Sequence, residues 1–493
     1  MSPSTSFFNS SVFSVSLIVS VALSVALRNS ERPFPSAFAM SGSFLGPTTS
    51  SATTAITSNS GIPIPNMISP FSFSGSSENP GKAGGFSLQP FRTEVYNRSR
   101  KCLSMFFPAA ERPQNLLPYQ GFCVSNTILS EAIKFIRRGR WPMSKNTGVV
   151  EDLRYIRHGA GLTHPETPER LVAIYEMLDN PDMAWKWTGI DARHATRGEL
   201  ERVHRPSFVD FIAQTAGKSM TILDPDTVAT AETYDTARLA AGGFMNAIDR
   251  VMSGETDNAF ALVRPPGHHA QAATAAGFCI FNNIAVGARH ALARWGLERI
   301  LIADWDLHHG NGTQEAFYEE SRVLYFSTHQ SPGYPGTGGP EEMGKGPGLG
   351  YTLNVPLRPG ADDALYVRVF RELLCPVARS FRPELILVSA GFDPYIGDPL
   401  GEMKMTPEGF ACLTRVLLDL ADEWCGGRLA MVLEGGYNVQ GLTKCVRAVL
   451  LEMIGETRVT EETLIRMVGE TGGQADRVID RARERIEPFW PVF

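Results

Sequence analysis

The chain has 493 residues, of which 43% are hydrophobic and 20% charged, with a formal net charge of −6. This acidic balance argues against direct binding to nucleic acid, which needs a basic surface. The seven cysteines are odd in number and form no C-x-x-C pair. They argue against a structural zinc cluster and predict reduced, mostly buried thiols in a cytoplasmic protein.

The first 142 residues differ in kind from the rest of the chain. Residues 12–27 form an uncharged apolar stretch that is shorter than the roughly 20 residues of a membrane-spanning helix and has no basic residues before it. Ser, Gly, Pro, Thr and Ala dominate residues 38–87, a composition typical of disordered segments. We predict a low-complexity extension at residues 1–142 and hypothesise that Met143 is the native start; a signal or transit segment is the alternative.

From about Lys145 onward, apolar strand-like runs alternate with helical stretches such as Asn283 to Trp295 and Gly409 to Trp424. This alternation is typical of an α/β fold in which helices cover a parallel sheet. Roughly 350 residues are ample for a sizeable core. We therefore predict one domain at residues 143–493, a doubly wound, mostly parallel sheet flanked by helices.

The first motif in this domain is R-P-P-G-H-H-A at residues 264–270. A rigid Pro-Pro-Gly turn precedes two adjacent histidines, His268 and His269. Imidazole is the side chain best matched to proton transfer near neutral pH. The motif therefore indicates a pair of histidines held in a fixed position for general acid and base catalysis.

An apolar strand that begins at Ile300 ends in D-W-D-L-H-H, residues 304–309. In extended backbone, positions i and i+2 face the same way, so Asp306 and His308 can reach one divalent metal ion. Oxygen and nitrogen ligands without thiolate suit zinc or a similar ion. A strand that ends in an ordinary polar turn is the alternative for this segment alone.

Two later strands also deliver polar groups at their carboxyl ends. The strand at residues 384–390 is followed by Asp393, and the strand at residues 429–433 runs through Glu434, Gly435 and Gly436 to Tyr437. The glycines allow a tight turn. In parallel α/β sheets, sites form outside the carboxyl ends of the strands. The coincidence of several such ends favours one site over separate turn residues.

The motifs RPPGHHA, GFCIFNN, DWDLHHGNGT, SPGYPGTG, SAGFDPYIGDPLG and LEGGYN occur in this order along the chain. With them the chain resembles the histone deacetylase superfamily, which includes acetylpolyamine amidohydrolases and acetoin-utilisation proteins. It is closer to the class II and bacterial branch than to class I. The resemblance runs from about Thr147 to the C-terminus and implies an arginase/deacetylase fold.

The resemblance implies that Asp306, His308 and Asp393 are zinc ligands. Two carboxylates and one imidazole leave positions for water and a substrate carbonyl. A metal so bound acidifies the water and polarises the carbonyl. The implied activity is removal of acetyl or other acyl groups from acetyl-lysine in proteins or peptides. The ligands alone do not separate zinc from iron or cobalt.

The resemblance also implies the proton carriers and the oxyanion donor. His269 matches the general base and acid, and His268 an electrostatic helper. Asp304 matches the acid that orients His268, and Asn311 takes the place of the partner of His269. Class I members carry Asp there, so Asn311 is expected to leave His269 less basic. Tyr437 matches the tyrosine that donates to the developing oxyanion.

Other matches concern the substrate channel. Phe278, preceded by Gly277, and Tyr334 match the walls that grip an aliphatic acyl-lysine stem, although ordinary core is the alternative for Phe278. Asp226 matches a rim acid that holds substrate backbone amides, and a solvated turn acid is the alternative. Arg170 matches a buried arginine near an acetate-release path, with a helix-start ion pair as the alternative.

A structural monovalent cation such as K⁺ is implied beside the zinc. The matching residues are Asp304, Asp306, His308 and Ser327. His309, next to a ligand, is expected to be structural or bound to a neighbouring backbone group rather than to metal.

The resemblance also bears on the substrate, because polyamine-selective relatives of class II place a glutamate where this chain has Leu400. A leucine offers a second ammonium group no attraction, which favours acetyl-lysine or a small acyl amide over acetylspermidine. A silent binding or scaffold member and an arginase-type hydrolase are the alternatives from other classes. The complete ligand set argues against the first, and the tandem histidines with Gly-Gly-Tyr argue against the second. No membrane contact is expected of this domain, and a homo-oligomer stays open.

Overall fold

The computed structural model describes residues 145–469 and 473–493. The extension at residues 1–142, with the hypotheses on its start and targeting, lies outside the described residues. No helix of the described residues is long and apolar enough to cross a membrane. The five cysteines that the structure describes are free thiols, and all five are buried, as predicted.

An eight-stranded parallel sheet forms the centre of the domain, and its strand order is β2-β1-β5-β10-β9-β6-β7-β8. The predicted parallel α/β architecture is thus confirmed, and β3 and β4 form a separate antiparallel hairpin. The strands are β1 Thr147–Val150, β2 Thr188–Ile190, β3 Thr221–Asp224, β4 Thr227–Ala229, β5 Asn258–Ala261, β6 Ile300–Asp304, β7 Val323–Gln330, β8 Thr352–Leu357, β9 Leu385–Ala390 and β10 Leu429–Leu433.

Helices flank this sheet. They are α1 Glu169–Leu178, α2 Arg197–Leu200, α3 Pro206–Ala213, α4 Thr233–Ser253, α5 Asn283–Trp295, α6 Asn311–Phe317, α7 Asp363–Val369, α8 Cys375–Phe381, α9 Pro407–Trp424, α10 Val439–Ile454, α11 Glu461–Gly469 and α12 Gly473–Ile486. A π-helical turn, Phe370–Leu374, joins α7 to α8, and short 3₁₀ turns occupy Leu153–Arg157 and Gly346–Gly348.

The two helices predicted from the sequence, α5 and α9, each begin directly after a residue whose side chain caps the first turn. Helix α5 begins after Asn282, whose side chain accepts a hydrogen bond from the Ala285 N–H. Helix α9 begins two residues before the predicted Gly409, because Thr406 caps it and Pro407 suits the first turn. The capping residue, rather than the first periodic apolar residue, therefore decides where α9 starts.

The central strands are buried along their whole length, as continuous apolar runs predict. Strands β5, β10, β9 and β6 are neighbours in this order. These four strands precede the motifs that carry the histidine pair, Tyr437, Asp393 and Asp306, respectively. Since all four run parallel, their carboxyl ends meet at one edge of the sheet, and the motifs meet there as well.

Candidate active site

Asp306, His308 and Asp393 converge at this edge. One donor atom from each lies within 4.8 Å of the others. His308 Nδ1 is 3.2 Å from Asp306 Oδ1 and 3.0 Å from Asp393 Oδ2. Both carboxylates are fully buried, whereas His308 is partly accessible. The three groups therefore form a compact acid-imidazole-acid cluster with one accessible side.

Backbone N–H groups hold the outer oxygens of both carboxylates. Gly435 donates to Asp306 Oδ2 at 2.8 Å, and Leu307 donates to Asp393 Oδ1 at 2.9 Å. Asp393 Oδ2 is buried and accepts no well-directed hydrogen bond from the described residues. Burial and the nearby Asp306 raise the pKa of Asp393 to about 7. A buried acceptor beside a second carboxylate is an arrangement that a cation would stabilise.

The tandem histidines lie against this cluster, with ring centroids 4.0 Å apart. His268 Nδ1 is 3.2 Å from Asp304 Oδ2. His269 Nδ1 donates to the Asn311 amide oxygen at 2.8 Å, which leaves Nε2 of this ring without a proton when the ring is neutral. The two pairings inferred from the resemblance are thus present as contacts.

Burial opposes the charged form of both rings, but their surroundings differ. Asp306 and Asp304 outweigh burial and raise the pKa of His268 to about 10. The pKa of His269 is lowered well below its usual value by burial and by the neighbouring His268 and His308. The pKa values of the two adjacent imidazoles are therefore shifted in opposite directions: His268 favours the charged form and His269 the neutral form.

Asp304 has partners that the sequence did not reveal. The Tyr325 hydroxyl donates to Asp304 Oδ2 at 3.0 Å, and the Asp306 N–H donates to Oδ1 at 3.2 Å. Tyr325 lies inside the apolar run of β7, where an aromatic residue resembles ordinary core. The pairing of β6 with β7 brings it to the site.

Tyr437 follows a turn that depends on glycine. Gly436 has φ +115°, and Asp398, buried in the loop after β9, accepts from the N–H groups of Tyr437 and Asn438 at 2.7 and 3.0 Å. Burial, followed by the charge of Asp393, raises the pKa of the Tyr437 phenol well above its usual value. The phenol therefore stays a hydrogen-bond donor at neutral pH.

Arg170 is fully buried behind this turn. Its guanidinium donates to the carbonyl oxygens of Gly436 at 2.7 Å and Glu434 at 2.6 Å, and its carbon lies 5.1 Å from the centre of the Tyr437 ring. It also forms the helix-start ion pair with Glu166, at 2.8 Å. The arginine thus contacts the turn that carries Tyr437 as well as its helical neighbour.

Aromatic rings surround the accessible side of the site. Tyr334 packs edge-on against His269, with ring centroids 5.0 Å apart, and Phe278 packs edge-on against Tyr437 at 5.6 Å. A side-chain carbon at Gly277 would collide with the His269 ring, so only glycine fits there. The two residues predicted as channel walls therefore pack against the histidine pair and the tyrosine of the site.

The turn between β3 and β4 holds the Phe278 wall in place. Phe278 has φ +68°, which is unusual for a residue with a side chain. Its N–H donates to Thr227 Oγ1 at 2.9 Å, and the Gly277 N–H donates to Asp226 Oδ1 at 3.1 Å. Asp226, predicted at the rim, therefore contacts the wall, and Thr227 is a contact that the sequence did not reveal.

The remaining predicted residues lie around the same edge. Leu400 is 38% exposed, and its N–H donates to Asp398, the residue that holds Tyr437. Ser327 is the register partner of Asp304 in the adjacent strand. His309 lies within hydrogen-bond distance of the side chains of Thr337 and Gln314, at 2.8 and 3.1 Å, which fits the structural role that was one of its two expected roles.

The fold and the grouped acids, imidazoles and tyrosine define a class of protein: a hydrolase built on a parallel α/β sheet. The model of the histone deacetylase domain matches residues 164–453. This chain therefore belongs to the histone deacetylase family, whose members are hydrolases that act on amide bonds.

Three relatives illustrate the range of the family. A probable deacetylase of Archaeoglobus fulgidus is 43% identical over 60% of this chain and 82% of its own length. The polyamine deacetylase HDAC10 of Homo sapiens is 43% identical over 59% of this chain but only 45% of its own length. The crystal structure of the HDA15 HD domain superposes with a TM-score of 0.65 and 37% identity, covering 70% of this chain and 96% of that domain.

Proposed function

We propose that residues 143–493 form a zinc-dependent catalytic domain that removes acetyl or other acyl groups from the side-chain amide of acetyl-lysine in proteins or peptides. The observation that carries this proposal is the convergence of three groups at one sheet edge. They are the acid-imidazole-acid cluster, the paired histidines and the tyrosine after a Gly-Gly turn. Separate structural roles would not require all of them to meet at one edge of the sheet.

Asp306, His308 and Asp393 fit a zinc ion. Their donor atoms are already grouped, and the buried Asp393 Oδ2 has His308, itself a proposed ligand, as its close polar neighbour. Two carboxylates and an imidazole are ligands that zinc accepts. When bound, zinc supplies a Lewis acid that polarises an amide carbonyl and lowers the pKa of water.

The paired histidines divide the proton transfers. In this proposal, neutral His269 takes a proton from the attacking water through Nε2. This atom is free to accept because the ring's own proton is on Nδ1, where it is donated to Asn311. It then returns the proton to the leaving amine of lysine. His268, charged beside Asp304 and Asp306, stabilises the negative charge that develops on the substrate. Zinc bound to Asp306 would weaken the effect of that carboxylate on His268, and Asp304 would remain the partner that favours the charged ring.

Tyr437 donates its hydroxyl hydrogen to the oxygen that becomes negative as the amide carbonyl is attacked. Phe278 and Tyr334 hold the aliphatic stem and keep bulk solvent out of the channel around it. Asp226 at the channel wall is proposed to bind substrate backbone, and Arg170 to support acetate release. Asp304, Asp306, His308 and Ser327 are proposed to hold a monovalent cation such as K⁺.

A polyamine deacetylase is the second candidate, because one relative at 43% identity carries that name. Leu400 argues against it. At this position the chain offers an exposed apolar side chain, which gives the second ammonium group of a polyamine no charge partner. An apolar side chain at this position is compatible with the uncharged backbone of a peptide around acetyl-lysine.

The proposed function is tested by turnover of an acetyl-lysine peptide and of acetylspermidine, each with and without a chelator. We expect chelator-sensitive hydrolysis of the peptide and little hydrolysis of acetylspermidine. Fast acetylspermidine turnover with a silent peptide would establish the second candidate instead. An absence of chelator-sensitive turnover with either substrate would favour a binding or scaffold role.

Replacing Leu400 with glutamate should change substrate preference. A carboxylate about 4 Å from an ammonium group near a protein surface contributes about 4 kcal/mol before solvation costs, and only part of this survives at an exposed site. We expect Leu400→Glu to raise kcat/KM for acetylspermidine by about tenfold, which corresponds to about 1.4 kcal/mol. Leu400→Gln is the matched control, since it adds polarity without charge. Equal gains in both variants would contradict an electrostatic role.

A further inference from the structure

Glu434 is a buried acid that the proposed mechanism does not use. Its side chain is inaccessible to solvent and lies behind the loop that carries the paired histidines. A single oxygen, Oε2, accepts hydrogen bonds from the N–H groups of Gly267 at 2.6 Å and His268 at 3.1 Å. The other oxygen lies 3.5 Å from Ser389 Oγ.

Residues 264–270, here called the histidine loop, are also held through their carbonyl groups, by donors from helices α5 and α6. Asn283 donates to the Pro265 oxygen at 3.0 Å, and the Thr313 N–H donates to the His268 oxygen at 3.1 Å. Helices α5 and α6 therefore position one face of the loop, and Glu434 positions the N–H face. Without this carboxylate, two buried donors would lose their acceptor.

Glu434 also links the histidine loop to the other parts of the site. Its carbonyl oxygen accepts from Arg170, which contacts the Tyr437 ring, and the N–H of the following Gly435 donates to Asp306 Oδ2. The acid therefore stands where the histidine loop, the tyrosine turn and the carboxylate cluster meet.

We propose that Glu434 is a positioning residue for the proton-transfer pair, an inference that rests on the proposed function. Its Oε2 keeps the backbone of Gly267 and His268 in place, so that His268 stays within reach of Asp304 and His269 within reach of Asn311. The role depends on the reach of an acceptor oxygen and not on negative charge.

Two substitutions distinguish the length of the Glu434 side chain from its negative charge. Glu434→Gln keeps the side-chain length and can place its amide oxygen at the same two N–H groups, with its NH₂ toward Ser389 Oγ. Glu434→Asp keeps the charge but is one methylene shorter. We expect the Gln variant to retain most of the wild-type kcat on an acetyl-lysine peptide. The Asp variant should lose about 10²-fold in kcat, the scale of an approximately 1 Å misplacement, with KM unchanged.

Amide hydrogen exchange at Gly267 and His268 provides a readout that does not depend on turnover. Exchange should accelerate in the Asp variant and stay slow in the Gln variant. Glu452→Gln is the matched control, since Glu452 is equally buried but pairs with Arg415 away from the site. It should change thermal stability without changing kcat or exchange in the histidine loop.

The outcomes separate this inference from the proposed function. An impaired Gln variant beside an active Asp variant would show that charge matters, and it would overturn the positioning role. Wild-type kcat and slow exchange in both variants would overturn it as well. A wild-type enzyme that hydrolyses no acyl-lysine peptide, but whose loop exchange responds as described, would overturn the proposed function and leave the positional contact established.

Discussion

Asp393→Ala is expected to lose bound zinc and deacylation together. Asp393 Oδ2 is buried in the cluster, 3.0 Å from His308 Nδ1, and accepts no well-directed hydrogen bond from the described residues, so its removal takes away one of the three donor atoms proposed to bind the metal. Even residues one step removed from a metal cost about 10–100-fold in affinity when replaced, and a direct ligand should cost more. A Lewis acid contributes several kcal/mol, so a loss of roughly 10³-fold or more in kcat is expected.

Metal analysis of the purified variant together with peptide turnover checks this result. Asp249→Ala is the matched control, because Asp249 is a partly buried acid that pairs with His290 and Trp295 instead of the cluster. The control should retain stoichiometric zinc and activity. A fully zinc-loaded Asp393→Ala enzyme would show that this carboxylate is not a ligand.

Tyr437→Phe is expected to keep zinc and lose most turnover. The substitution removes one hydroxyl and retains the ring that packs against Phe278 and lies beside Arg170. Loss of one oxyanion donor costs about 10²–10³-fold in kcat, or about 2.7–4 kcal/mol. The effect should fall on kcat more than on KM, since the donor acts mainly on the charge that develops in the transition state.

Steady-state kinetics and metal content distinguish this role from a structural one. Tyr175→Phe is the matched control, because its hydroxyl donates to the backbone oxygen of Leu262 at 3.0 Å in the core. That variant should lose stability without a specific loss of kcat. Zinc loss in Tyr437→Phe, or unchanged kcat, would contradict the proposed oxyanion role.

The sequence was sufficient to predict the parallel α/β sheet and the residues that meet at its edge. Continuous apolar runs indicated buried strands, and the polar group after each run marked its carboxyl end. Because parallel strands share that edge, Asp306, Asp393 and Tyr437 could be grouped without knowledge of the strand order. The family resemblance implied that Asp304 pairs with His268 and Asn311 with His269, and both contacts are present.

The residues that support these groups were not predictable in the same way. Tyr325 looks like core in its strand, Thr227 is the first residue of the short strand β4, and Glu434 looks like the polar end of β10. Each acquires its role from a partner far away in sequence: Asp304, Phe278 and the histidine loop, respectively.

The chain by itself therefore determined the strands, their polar ends and the chemical types gathered there, because these depend on local hydrophobicity and on short motifs. The tertiary structure alone decided which buried hydroxyl or carboxylate satisfies which backbone N–H or acid. That choice follows from strand order and loop packing, since a buried polar group must find a hydrogen-bond partner wherever the fold places one. The contacts of Glu434 with the backbone of Gly267 and His268 are of the kind that only the tertiary structure decides.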